Sequence, residues 1–213
     1  MFKLWVALLS FLWSGPTPAV ISPKIANKAL KVSVLLHMKS KKMEGSRHYY
    51  GCSGTYVTPR LILTAAHCFE ADQVEFTWAR DVNQKVGYPV KLVIKWPSHD
   101  LALLEAPFNH AYARLGKDPK VGEEVLNVGS PLIFEFVVSE GIVAAVHYTL
   151  HGFGSQYLIT TAMINPGSSG GGAFNAKGEL IGVNTMSVGM FGWSGISMAV
   201  SLEDIRSLML FFN

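Results

Sequence analysis

Asn165-Pro166-Gly167-Ser168-Ser169-Gly170-Gly171-Gly172 sets a serine in a short glycine-rich bend and follows it at once with more glycine. Glycine lets the backbone reach positive φ and lets a ligand approach closely. A serine held there can turn its hydroxyl outward while its own N–H and that of Gly167 converge on one spot. An acyl-transfer nucleophile needs that layout, an attacking oxygen with donors for the oxyanion. Taken alone, the run is equally an ordinary glycine-serine turn, and the rest of the chain has to decide.

The chain has 213 residues, with 49% hydrophobic and only 15% charged residues. That is enough for one large all-β domain or two small barrels. Short apolar or alternating runs rich in valine, isoleucine and aromatics recur between turn residues. They include 31–38, 49–57, 61–64, 73–77, 88–94, 101–105, 124–128, 137–146, 157–161, 172–175, 180–184 and 196–200. The pattern predicts a β-sandwich or barrel. Helical periodicity stands out once, over 201–212. There Ser201 can cap, Glu203 and Asp204 suit the first turn, and Leu202, Ile205, Leu208, Met209 and Phe212 share a face. The polar Leu115-Gly116-Lys117-Asp118-Pro119-Lys120 stretch is the natural division. It gives an N-terminal barrel over 20–116, a C-terminal barrel over 117–200 and a closing helix over 201–213.

At the N-terminus Lys3 precedes an apolar stretch from Leu4 to Trp13, and Thr17-Pro18-Ala19 follows. Basic start, apolar centre and small residues describe a secretory signal peptide over 1–19, cleaved near Ala19, which places the chain outside the cell or in a periplasm. A retained anchor is the alternative, but the stretch falls well short of the about 20 residues that span a bilayer. A net charge of +3 is too weak for a nucleic-acid binder. The basic stretch with Lys39, Lys41, Lys42 and Arg47 reads as a solvated hairpin loop. The only two cysteines, Cys52 and Cys68, form an even count in an exported chain and predict a disulfide. Two reduced thiols are the alternative; no second cysteine pair completes a metal site.

Leu61-Ile62-Leu63-Thr64-Ala65-Ala66-His67-Cys68 is a strand running into a histidine beside one of those cysteines. A serine nucleophile needs a base, and histidine titrates in the useful range. His37, His48, His110, His147 and His151 read as structural or exposed. His67 differs because a disulfide beside it would pin its backbone, and catalytic geometry tolerates little slack. The base in turn needs a carboxylate behind it. Asp72 is close to His67 in the chain, and Asp81 and Asp118 sit in polar turns. Asp100 stands between a loop and the apolar Leu101-Ala102-Leu103-Leu104. A carboxylate entering a buried strand must be paired or hydrogen-bonded.

The segments Thr64-Ala65-Ala66-His67-Cys68, Asp100-Leu101-Ala102-Leu103-Leu104 and Gly167-Ser168-Ser169-Gly170-Gly171 resemble the signature motifs of the chymotrypsin-like (trypsin-like) serine proteases, in that family's order. The resemblance covers roughly residues 28 to 200. Within the family the chain is more similar to the bacterial HtrA/Deg-type branch, through 162–171, 174–185 and 195–200. A weaker likeness runs to the staphylococcal glutamyl-endopeptidases. The resemblance implies an all-β fold of two six-stranded antiparallel β-barrels with a C-terminal α-helix and a cleft between the barrels. It implies a triad of His67, Asp100 and Ser169, an oxyanion hole from the N–H groups of Gly167 and Ser169, polypeptide substrates, and no metal or cofactor. Met163, Ile164, Asn184, Thr185, Met186 and Met198 should line the primary pocket. With no charge among them, they favour a small or medium apolar side chain.

Three departures stand out. Gly172 replaces a common proline. The chain ends soon after its last helix, so a member without the branch's PDZ domain is expected. Ser168 stands where digestive members carry an aspartate that pairs with a new N-terminal amine, so maturation without that switch is expected. Two other readings use the same residues: a catalytically silent peptide-binding or chaperone module, and an esterase or acyltransferase. An α/β-hydrolase version would need the order serine, acid, histidine, which the chain does not have.

Overall fold

The computed structural model describes residues 21–40, 49–69, 74–132, 134–150, 154–190 and 193–212. The expected signal peptide, the lysine-rich 41–47 stretch, Asp72, His48 and His151 lie outside the described residues. Seven strands form the first sheet: β1 (Ser33–Ser40), β2 (Tyr49–Tyr56), β3 (Leu61–Thr64), β4 (Val74–Asp81), β5 (Tyr88–Pro89), β6 (Lys91–Trp96) and β7 (Leu101–Glu105). Their order is β5-β4-β1-β2-β3-β7-β6. The second half comprises β8 (Glu124–Gly129), β9 (Val137–Thr149), β10 (Gln156–Thr160), β11 (Gly172–Asn175), β12 (Leu180–Met190) and β13 (Trp193–Ser201). They close into a six-stranded barrel, β10-β13-β12-β11-β8-β9. Every pairing between these strands is antiparallel.

The core explains why β7 reads as a continuous apolar run. Side chains alternate across a strand. Ala102 and Leu104 join Val34, Leu36, Met38, Cys52 and Ile62 inside the first sheet. Leu101 and Leu103 face the other way, into a cluster with Leu63, Leu126, Val128, Phe174, Val183 and Val200 that joins the two halves. Both faces of β7 are therefore dry, and all four of these residues are fully buried. Each buried leucine is worth about 1.5–3 kcal/mol relative to exposure. Val125, Val143, Leu158, Ala173, Ile181 and Ala199 form a further cluster.

The mostly β architecture with one closed barrel and a C-terminal helix agrees with the sequence expectation, with three differences of detail. The first sheet has seven strands because the 88–94 run splits. Proline cannot donate to a ladder, and at Pro89 the chain turns from β4, its partner in β5, toward β7, its partner in β6. A helix absent from the sequence reading, α1 (Pro23–Lys31), precedes β1. Pro23 suits its first turn, and Ile25, Ala26, Ala29 and Leu30 pack on the inter-sheet cluster. The C-terminal helix α2 (Leu202–Met209) has Ser201 as N-cap. It buries Leu202, Ile205 and Leu208 but gives way to a 3₁₀ turn, so Phe212 does not continue the buried face.

Candidate active site

His67 sits in the 3₁₀ turn Ala66–Phe69 that follows β3. Cys68 is disulfide-bonded to Cys52 of β2, so the turn is tied to its neighbouring strand on the residue beside the histidine. The 3₁₀ turn Pro97–His99 leads into Asp100, which takes the left-handed conformation at φ 50°. That conformation aims its carboxylate at His67. Asp100 Oδ1 accepts from the His67 backbone N–H at 2.8 Å, and His67 Nδ1 lies 2.9 Å from Oδ2 and 3.0 Å from Oδ1. With Nδ1–H engaged there, Nε2 is the basic nitrogen of the ring. Thr185 Oγ1 donates to Asp100 Oδ2. Burial pushes the Asp100 carboxyl up. The hydrogen bonds and charge of His67, helped by Thr185, more than offset this and hold it below the ordinary carboxylate value.

Ser169 lies in the bend ahead of β11, with Oγ 3.4 Å from the Thr185 carbonyl. Two glycines account for the bend. Gly170 has φ +84°, and a β-carbon there would run into the Ser53 carbonyl, the Thr64 hydroxyl and the Ala65 backbone. Gly167 has φ +99°. The Leu132 N–H donates to the Pro166 carbonyl at 2.8 Å. In a trans peptide the following N–H points opposite to that carbonyl, so Leu132 sets the direction of the Gly167 N–H. Among the described residues neither the Gly167 nor the Ser169 N–H donates to a protein acceptor.

Ser53 was not legible as part of this site. Its N–H donates to the Ser169 carbonyl at 2.8 Å, and its hydroxyl donates to the Gly167 carbonyl and accepts from the Ser130 N–H, each at 2.8 Å. One serine of the first sheet thus grips the bend of the second half at two points. The hydroxyl of Thr185, a residue expected in the pocket wall, donates to Asp100. A serine or threonine that bonds across the sheets leaves no periodic signal in the sequence.

Met163, Ile164 and Asn184 line one cavity of about 80 Å³ together with Asn127, Pro131 and Ser168. Met163 is exposed at its edge, whereas Ile164 and Asn184 are buried. Met198 is buried in the inter-sheet cluster and Met186 packs against it. The other weighed residues have separate engagements. Asp81 meets Tyr88 Oη at 2.8 Å and His110 Nδ1 at 3.2 Å, and the His110 ring stacks on Tyr56. Asp118 pairs with Arg206, and His147 Nδ1 bonds Gln156. Among the described residues no group of three or more His, Cys, Asp or Glu could hold a metal ion, and no helix is long and apolar enough to cross a membrane.

Residues 52–183 match the family described as the trypsin-like peptidase domain. A probable periplasmic serine endoprotease, DegP-like, of Pseudomonas putida (strain GB-1) is 40% identical over 53% of the chain. A protein of the same description from Marinomonas sp. (strain MWYL1) is 36% identical over 78% of the chain. The matched region spans 25% of the former's length and 36% of the latter's. Among solved structures, the HtrA-type protease AlgW with tripeptide superposes at a TM-score of 0.79 with 25% identity, covering 91% of this chain and 63% of that one. The chain therefore belongs to the trypsin-like peptidase domain family, and within it is similar to proteases of the HtrA/DegP type.

Proposed function

We propose that this protein hydrolyses peptide bonds through a triad of Ser169, His67 and Asp100. The observation that carries the reading is the His67 ring held by Nδ1 on the Asp100 carboxylate, with the Ser169 bend braced by Ser53 on the strand whose Cys52 is bonded to Cys68 beside His67. His67 Nε2 takes the Ser169 hydroxyl proton as Oγ attacks the scissile carbonyl. The Gly167 and Ser169 N–H groups receive the oxyanion. His67 then protonates the leaving amine, and water, activated by the same nitrogen, releases the acyl group from Ser169. Asp100 keeps the Nδ1–H tautomer and stabilises the imidazolium without taking the proton. Its lowered carboxyl favours that charged state.

The uncharged lining at Met163, Ile164 and Asn184 favours small or medium apolar residues on the acyl side of the cut bond. A peptide-library profile dominated by Arg, Lys or Glu would refute this. Ser168, buried beside the cavity, offers no carboxylate to a new N-terminal amine, so activity does not await N-terminal cleavage. The Lys3 to Ala19 segment and the periplasmic naming of the two relatives support export. N-terminal sequencing of the protein recovered outside the cytoplasm should begin near Val20.

The deciding experiment replaces Ser169 by Ala. Peptidase activity should fall by about six orders of magnitude, and labelling by a fluorophosphonate should vanish while the fold is kept. Peptidase activity retained by Ser169→Ala would sink the assignment.

A further inference from the structure

Asp100 enters the cleft on a turn that is gripped from the other half of the molecule. A non-glycine residue in the left-handed region is strained and persists where surrounding contacts fix it. On the cleft side His67 and Thr185 do so. On the far side the contacts come from His99. Its ring stacks on Trp96 with centroids 3.6 Å apart, and Nδ1 lies 3.0 Å from Ser98 Oγ. Nε2 lies 3.8 Å from Asp204 Oδ1, both side chains being largely buried.

Asp204 belongs to α2 and is itself fixed. Its Oδ2 accepts from the Gln156 N–H at 3.0 Å and the Ser201 hydroxyl at 3.4 Å. Burial pushes the Asp204 carboxyl above its ordinary value, against the Gln156 N–H and the His99 ring, which favour the charged form. A second grip lies alongside: the Gly154 N–H donates to the Ser98 carbonyl at 3.0 Å. The 3₁₀ turn before Asp100 is thus bound to α2 and to the approach to β10, although its own strand, β7, belongs to the first sheet.

We propose that His99 and Asp204 are a positioning pair that anchors the Asp100 turn to the C-terminal helix and so sets the angle at which Asp100 presents its carboxylate to His67. The proposal rests on the reading of Asp100 as the orienting carboxylate of the triad. Neither residue touches the reacting atoms, so their effect must pass through Asp100.

The test compares His99→Phe, which keeps a ring for the Trp96 stack, with Asp204→Asn, which keeps an acceptor for Gln156. Each is measured alone, together, and on an Asp100→Asn background, with an active-ester substrate and the fluorophosphonate labelling rate of Ser169. Each single variant should lower kcat about tenfold with KM within about twofold. The double variant should be no slower than the slower single one, since the two act as a unit. On Asp100→Asn, His99→Phe should change the rate by less than about twofold. Undiminished kcat in both single variants overturns the proposal. So does a His99→Phe loss that keeps its full size on Asp100→Asn, because that marks general loosening. If Asp100→Asn alone leaves the rate intact, the triad reading itself has failed, an outcome distinct from either of these.

Discussion

At the scale of single residues, the proposed mechanism asks most of Asp100. Its carboxylate has three donor groups, the His67 N–H, the His67 ring and Thr185 Oγ1. Asp100→Asn keeps the shape but offers His67 an amide that can select the wrong tautomer, so kcat should fall by about 10⁴. The same substitution should alter acid sensitivity. A carboxyl held below its ordinary value stabilises the fold above its unfolded-state pKa, and that contribution is lost as pH falls through the lowered folded-state value. Stability curves of wild type and Asp100→Asn should therefore diverge above the ordinary carboxylate range and converge as the pH is lowered beneath it. A constant gap at every pH would show that the charge contributes nothing. Asp100 could be read from sequence because a carboxylate before a buried strand demands partners. Ser53 and Thr185 could not, since serine and threonine satisfy themselves almost anywhere and their bonds here cross 114 and 85 positions of chain.

At the scale of elements, the disulfide welds the 3₁₀ turn carrying His67 to β2, the strand that also supplies Ser53. Closing a loop of 16 residues is worth roughly 3 kcal/mol in the chain-entropy model. Cys52→Ala combined with Cys68→Ala should lower stability by about that amount in chemical denaturation. kcat should also fall at temperatures where the variant is still folded, because the turn is then held by its backbone alone. Unchanged kcat in the folded double variant would mean that Asp100 suffices to hold His67. The pairing was legible because a chain with two cysteines leaves each a single possible partner within it. The other elements were unequally legible. β7 and the bend at Gly167 to Gly172 carry strong local demands, burial on both faces and positive φ. Helix α1 has only nine residues, shows no side-chain cap, and presents little more than Ile25, Ala29 and their neighbours to the core. Packing on the inter-sheet cluster, rather than periodicity, makes it a helix. The break between β5 and β6 depends on which neighbour each strand finds, and Pro89 reveals it only once the partners are known.

For the molecule as a whole, the proposed site is assembled from both halves, His67 and Asp100 on one side and Ser169, Gly167 and Thr185 on the other. Its precision therefore depends on how firmly the halves are joined, and β7 separates that question from simple stability. Leu103 points into the cluster shared with Phe174, Val183 and Val200, whereas its neighbour Leu104 points into the first sheet's own core. Both are fully buried. Truncation of either to Ala should cost about 2–5 kcal/mol. The two losses should differ in their consequence for activity. Leu104→Ala hollows one half and leaves the joint intact, so the folded fraction should keep near-normal kcat. Leu103→Ala opens a cavity at the joint itself, on the strand that begins one residue after Asp100. A shift of the order of 1 Å between triad members can cost about 10²-fold in rate. Activity measured well below the unfolding midpoint, and normalised to the fluorophosphonate-reactive fraction, should therefore fall much further in Leu103→Ala than in Leu104→Ala. Equal kcat in the two variants would show that Ser53, Thr185 and the His99–Asp204 contact hold the halves in register without help from the shared core.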